Sequence, residues 1–160
     1  MVVVRAGQRL PNTRLAEIVG NELSTVETDN LLAGKRAILI GIPGAFTPTC
    51  SERHIPQFVA AAESLRSAGY GLIACIMPND PWVVKKFAQV VDPAGKIRFL
   101  SDGNLELRKC GLTTLEETYF MGLRSARFVL TLQNAVIERV NVDPTIISMS
   151  CTSVRDVLEV

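Results

Sequence analysis

The sequence predicts an α/β domain of three layers built on a central mixed β-sheet, and three observations carry that prediction. A short, β-branched apolar run at 36–42, bounded by Gly34 and by Pro43-Gly44, reads as a buried central strand. After Pro48 the spacing turns helical, with Ile55, Phe58, Val59, Ala62 and Leu65 on one stripe, and a second buried strand follows at 71–77. Farther on, two alternating segments at 126–132 and 135–140 flank Gln133-Asn134 and read as a hairpin with a two-residue turn. A strand–helix–strand unit joined to a hairpin mixes parallel and antiparallel neighbours in one sheet.

The remaining elements follow in order. Residues 13–18 and 23–27 look like short strands within an irregular region that runs to about Leu32. The helix opened by Pro48 extends to 68 and stops at Gly69, since proline suits the first turn and glycine the end. Asn79 or Asp80 can cap the next helix, with Pro81 in its first position and Val83, Val84, Phe87, Val90 and Val91 facing the core. A third strand at 97–100, a short helix at 104–110 ended by Gly111, and a last helix at 153–158 capped by Ser153 complete the chain. This order is that of a thioredoxin-like layered domain, in which a nucleophile stands where a central strand gives way to its helix. With no repeat, low-complexity tract or linker, 1–160 reads as one domain, long enough to bury about 70% of its unfolded surface.

Composition excludes several classes. The net charge is +1 with scattered cations, which gives no reason to expect nucleic acid. No run approaches the ~20 apolar residues of a bilayer span, and residues 1–5 lack the layout of a secretory signal. Cys50, Cys75, Cys110 and Cys151 form neither a C-x-x-C pair nor a zinc knuckle, and His54 is the sole histidine, so a Cys/His metal site is not expected. A chain of this size needs no disulfide for stability. Its cysteines therefore fit a reducing compartment, either cytoplasmic or an organellar matrix such as the mitochondrion, and any disulfide would be catalytic.

Cys50 is the candidate nucleophile. Pro48 places it in the first turn of a helix, where unpaired N–H groups and the positive end of the dipole favour an anion. Thr47 brings a hydroxyl three residues ahead of it. His54 follows four residues later on the same helix face, where a Cys–His nucleophilic pair is conceivable but a helix-surface or core-edge residue, hydrogen-bonded locally, is the expectation.

The run Gly41-Ile42-Pro43-Gly44-Ala45-Phe46-Thr47-Pro48-Thr49-Cys50 resembles the signature of the peroxiredoxins, and specifically the type II or peroxiredoxin-five subgroup. The likeness extends through His54 and Pro56, Asn79-Asp80, Leu100-Ser101-Asp102-Gly103 and Gly122-Leu123-Arg124-Ser125-Ala126-Arg127-Phe128. It implies a thiol-dependent peroxidase of hydrogen peroxide and alkyl hydroperoxides with no metal or organic cofactor. Cys50 would be oxidised to sulfenic acid, Thr47 would address the thiolate and the peroxide oxygens, and Pro43 would shield the sulfur. Arg127, rather than Arg124 three residues earlier, would supply the cation. Cys151 is the preferred resolving thiol, Cys75 the alternative and an external thiol the third option; Cys110 is read as structural. The loop 143–150 lacks the glycines usual before the resolving cysteine of the family. Thioredoxin, glutaredoxin or glutathione would return the electrons, and Trp82 stands where members carry a bulky residue at a dimer contact. The competing reading is a redox-signalling or chaperone-like protein that relays oxidation from Cys50 to partners.

Overall fold

A computed structural model describes residues 4–158; the stretches 1–3 and 159–160, part of the termini read above, lie outside the described residues. Seven strands form one sheet in the order β2-β1-β5-β4-β3-β8-β9. They are β1 (Arg14–Val19), β2 (Glu22–Glu27), β3 (Arg36–Gly41), β4 (Leu72–Met77), β5 (Arg98–Ser101), β8 (Phe128–Gln133) and β9 (Val136–Val142). The β3–β4 and β4–β5 pairs are parallel and the others antiparallel, so the sheet is mixed as expected.

Alternation along β3 divides the core. Ala37 and Leu39 join Ala74, Ile76, Leu100, Phe128 and Leu130 on one face. Ile38, Ile40 and Ile42 join Ile73, Cys75, Met77 and Val129 on the other, beneath Phe58, Ala62 and Leu65 of α2 (Ile55–Ser67) and Val84 and Phe87 of α3 (Pro81–Val91). The first face is closed partly by Leu31 and Leu32 of α1 (Thr28–Leu32), a five-residue helix with too few turns to leave a periodic signal. Cys50 and Cys75 are thus buried on the same side of the sheet.

Caps fall where the sequence placed them. The Asp80 carboxylate accepts the N–H groups of Trp82 and Val83, with Pro81 opening α3. Ser153 and Asp156 exchange hydrogen bonds before α4 (Val154–Leu158), a reciprocal cap. Gly69 and Gly111 end their helices at φ of 103° and 72°.

Three boundaries differ. The hairpin turn is Asn134-Ala135, one residue later than the sequence suggested, and both residues have positive φ as a type I′ turn requires. The N–H of Leu10 bonds the Ala135 carbonyl, tying the N-terminal segment to that turn. The 104–110 segment is a 3-10 turn over Glu106–Cys110. A two-stranded ribbon, β6 (Thr113–Glu116) with β7 (Gly122–Ser125), had not been expected as strands because its edges are polar and half-exposed.

Candidate active site

The chain leaves β3 at Gly41 and enters helix at Pro48, and the loop between is braced from three sides. The Asn79 side chain accepts the N–H of Ala45, and the Thr47 hydroxyl donates to the Gly44 carbonyl at 2.9 Å. Phe46 sits at φ 62°, a left-handed conformation that a bulky residue adopts at some cost, and its ring packs edge-on against Phe87. The helix does not begin as an ordinary α-helix: Cys50–His54 form a π-helical turn, closed by the Ile55 N–H on the Cys50 carbonyl. Such wide turns cluster at functional sites because they re-aim side chains within a continuous helix.

The π turn directs both Cys50 and His54 inward, each with no solvent exposure. Arg127, one residue before β8, reaches the same point from the sheet and is only 1% exposed. Its Nη2 donates to Cys50 Sγ at 3.1 Å and to the Ile146 carbonyl at 2.6 Å, its Nε also to Ile146, and its Nη1 to His54 Nδ1 at 2.7 Å. A guanidinium has only donors, so Nδ1 must be the accepting nitrogen and the ring proton belongs to Nε2. That Nε2–H donates to the Thr152 carbonyl at 2.9 Å. Both ring nitrogens are therefore committed away from the sulfur, and His54 is not a base for Cys50.

Burial first, and the Arg127 charge second, push His54 down from 6.5 to about 3, against weaker support from Thr152 and Asp143. The group is depressed in the folded state, so its contribution to stability is complete above pH 6.5 and is lost as pH falls from 6.5 towards 3. Between pH 6.5 and 4.5 the loss is expected to reach roughly 2–3 kcal/mol, at about 1.4 kcal/mol per pH unit for one proton. Urea midpoints across that range should fall with a slope of one proton taken up on unfolding. A flat midpoint would refute the buried neutral ring. Asp143 is also held low and adds its loss only further down, below the usual carboxylate range.

Asp143 is a site residue that sequence reasoning did not single out. Burial opposes its charge, but bonds from the Thr152 hydroxyl, the Ser150 hydroxyl and N–H, and the Cys151 N–H outweigh that cost. Its own N–H caps the Arg127 carbonyl at 2.9 Å. The 143–152 loop is thus wound around one carboxylate, which ties down a segment that carries no glycine. An Asp-Pro pair before a run of hydroxyl residues is the signal that could have marked it.

The remaining predicted residues are placed as follows. Pro43 is buried, and Thr47 is half-buried; with Ala45, Phe46, Met121 and Ile147 they line a cavity of about 480 Å³. Arg124 lines the same cavity and bonds the Met121 carbonyl through Nε, and it is Arg127 that meets the sulfur. Cys75 is fully buried opposite Ile40; burial, then the neighbouring Cys50, raise its thiol well above 9.0. Cys151 is half-buried, and burial with Asp143 pushes it up to about 11. Cys110 is buried in the opposite face of the core, its thiol raised by burial. Trp82 is 62% exposed on α3 rather than in the core. Among the described residues no group of three His, Cys, Asp or Glu could hold a metal, and no helix is long and apolar enough to cross a membrane.

A cysteine opening the helix after a central strand, with a buried arginine on its sulfur, defines a thiol-based redox protein on a thioredoxin-like fold. Comparison with known proteins narrows this. The family model described as Redoxin matches residues 5–158. Peroxiredoxin-2D of Arabidopsis thaliana is 37% identical over 145 residues, 89% of this chain and 90% of that protein. Peroxiredoxin-2C of Oryza sativa subsp. japonica is 36% identical over the same shares. Reduced Prx3 of Vibrio vulnificus in complex with hydrogen peroxide superposes with a TM-score of 0.90 at 33% identity, over 97% of both chains. Peroxiredoxin 5 of Alvinella pompejana superposes at 0.79 and 29% identity, over 88% of this chain and 90% of that one. The chain belongs to the Redoxin family and is a peroxiredoxin of type II, a thiol peroxidase.

Proposed function

We propose that Cys50 is the peroxidatic residue and that Arg127 is its electrostatic partner. The observation that carries this reading is the 3.1 Å bond from Arg127 Nη2 to Cys50 Sγ in a site with no solvent exposure at the sulfur. A buried guanidinium needs a counter-charge, and among the described residues no carboxylate lies within 4 Å of it. The Cys50 thiolate is that counter-charge. It attacks the distal oxygen of a hydroperoxide, the O–O bond breaks, and the departing alkoxide or hydroxide takes a proton to leave as alcohol or water. The sulfur is left as sulfenic acid, oxidised by two electrons. Arg127 faces the oxygens as their charge grows, and Thr47, its proton spent on Gly44, can accept the peroxide O–H with a lone pair. The structure of a relative bound to hydrogen peroxide supports this substrate.

The sulfenic acid condenses with a second thiol, forming a disulfide and releasing water. Sequence favoured Cys151 for this step; the fold supports Cys75. Cys75 shares the buried cluster of Cys50 and feels its charge, whereas the charges acting on Cys151 are those of Asp143 and Asp156. A disulfide needs Cα atoms within about 7 Å, and in this scheme Cys50 leaves the π turn to meet Cys75. An external thiol such as thioredoxin, glutaredoxin or glutathione, in a reducing compartment, then restores both cysteines. Exposed Trp82, Phe46 and Phe120 are compatible with a homodimer.

Peptide mapping after one equivalent of hydrogen peroxide, with thiols trapped, tests the scheme. A Cys50–Cys75 disulfide is the expected product. A Cys50–Cys151 bond would move the resolving role to Cys151, and sulfenic or sulfinic Cys50 would assign it to an outside thiol. Unmodified Cys50 would refute the peroxidatic assignment.

A further inference from the structure

His54 is a buried titratable group in contact with Arg127 that the peroxidase scheme leaves without a task, and its two nitrogens do different things. Nδ1 accepts from Arg127 Nη1, while Nε2–H donates to the carbonyl of Thr152. Thr152 adjoins Cys151 and bonds Asp143 through its hydroxyl, and the Asp143 N–H closes back on the Arg127 carbonyl. The π turn is what brings the ring to this place: Cys50 and His54 occupy its first and last positions, and both are fully buried. The ring also stacks edge-on against Phe58 of α2, which fixes its plane.

We propose that His54 is a positioning residue, in which Nδ1 aims Arg127 at the Cys50 sulfur while Nε2–H fastens the 143–152 loop, so that one ring couples loop order to the placement of the arginine. This rests on the peroxidatic reading of Cys50. The coupling follows from the chemistry of the ring. A half-turn of the ring about Cβ–Cγ would set Cδ2–H against the guanidinium and Cε1–H against the Thr152 carbonyl, so both bonds are lost together. The orientation that serves Arg127 is therefore the one that serves Thr152. When the loop lifts and the Thr152 carbonyl withdraws, the ring loses the contact that holds its rotamer, and Nη1 loses a fixed acceptor. Arg127 is then held by Ile146, itself part of the same loop. Loop opening thus releases the guanidinium from two sides at once.

The two nitrogens can be separated by substitution. Asparagine places an acceptor oxygen close to the position of Nδ1 and supplies nothing to Thr152. Glutamine reaches the Nε2 position with an amide donor and supplies no acceptor at Nδ1. The rate of Cys50 oxidation by hydrogen peroxide, followed by stopped flow in a single turnover, is measured alongside hydrogen exchange of residues 150–154. His54→Gln is expected to lose about ten- to thirtyfold in rate with loop exchange near native. His54→Asn is expected to stay within about threefold of the native rate while loop exchange rises at least tenfold. A residue that only fills space predicts the same loss in both, tracking their thermal midpoints, and that result would overturn the proposal. So would rates unchanged in both. Should His54→Gln fail to fold, His54→Asn decides alone, since a tenfold loss of rate in that folded variant contradicts the assignment of Nδ1. If the native chain shows no oxidation of Cys50, the peroxidatic reading fails first. Oxidation in the native chain with no split between the variants refutes only the role of His54.

Discussion

Arg127→Gln is expected to slow peroxide oxidation of Cys50 by roughly 10²–10³-fold, the loss usual when one donor is removed from a charge-developing oxygen. Four of the five N–H groups of Arg127 are engaged, on Cys50, on His54 and twice on Ile146. Glutamine offers two donors on a shorter stem and carries no charge, so it cannot hold the sulfur and the loop together. Arg127→Lys is the informative companion. It keeps the charge but not the planar fork, and a single ammonium cannot serve three partners at once. The lysine variant should lie between glutamine and the native chain in rate. The measurement is the single-turnover rate of Cys50 oxidation at a temperature where each variant is folded by near-ultraviolet dichroism. A native rate in the glutamine variant would return Arg127 to a packing role.

What the sequence made legible, and what it hid, follows from how local each signal is. The strand 36–42, the Asp80 and Ser153 caps, and the glycine stops at 69 and 111 are decided within a few residues, and all are present. Cys50 and Thr47 could be placed because a turn, a proline and a helix lie next to one another in the chain. Arg127 carries no such signal. It is an isolated arginine 77 residues from its sulfur, and only the family likeness selected it over Arg124. The π turn was hidden for another reason. Helical spacing continues through Cys50–His54, and one extra residue in a turn does not disturb an apolar stripe that begins at Ile55. The tautomer of His54 exists only in three dimensions, since Arg127 and Thr152 both come from distant parts of the chain, whereas Asp143 finds its partners later in its own loop, where only the Asp-Pro pair marks it. The preference for Cys151 shows the same limit. Sequence spacing located a cysteine in the right loop, but the carboxylate that pins it and raises its thiol could not be read from spacing.

Gly41→Ala is expected to be the most destabilising single methyl that can be added to this sheet. Gly41 stands directly opposite Phe128 across the β3–β8 ladder, and both face the side of the core that holds Leu39, Ile76 and Leu130. A Cβ built on Gly41 would lie 1.9 to 2.5 Å from the Cε2, Cδ2 and Cζ atoms of the Phe128 ring. Phe128 is fully buried, so the ring has no outward path and the strands must part instead. Overpacking by one methylene commonly costs about 1–3 kcal/mol; overlap this deep, against an aromatic ring, should cost at least ~3 kcal/mol. Phe128→Leu on its own is expected to cost about 1–2 kcal/mol through lost contacts. In combination with Gly41→Ala it should be less destabilising than the alanine alone, because the smaller side chain vacates the space the methyl needs. Urea midpoints of the two single variants and the pair test this, and an unchanged midpoint for Gly41→Ala would show that the ring yields freely. The consequence for chemistry is distinct from that of Arg127→Gln. Gly41 is two residues before Pro43 and Phe128 one residue after Arg127, so the pair sets the separation of the two strands that carry the sulfur loop and the guanidinium. In Gly41→Ala stability and oxidation rate should fall together and recover together in the double variant, whereas in Arg127→Gln the rate should fall far more than the stability.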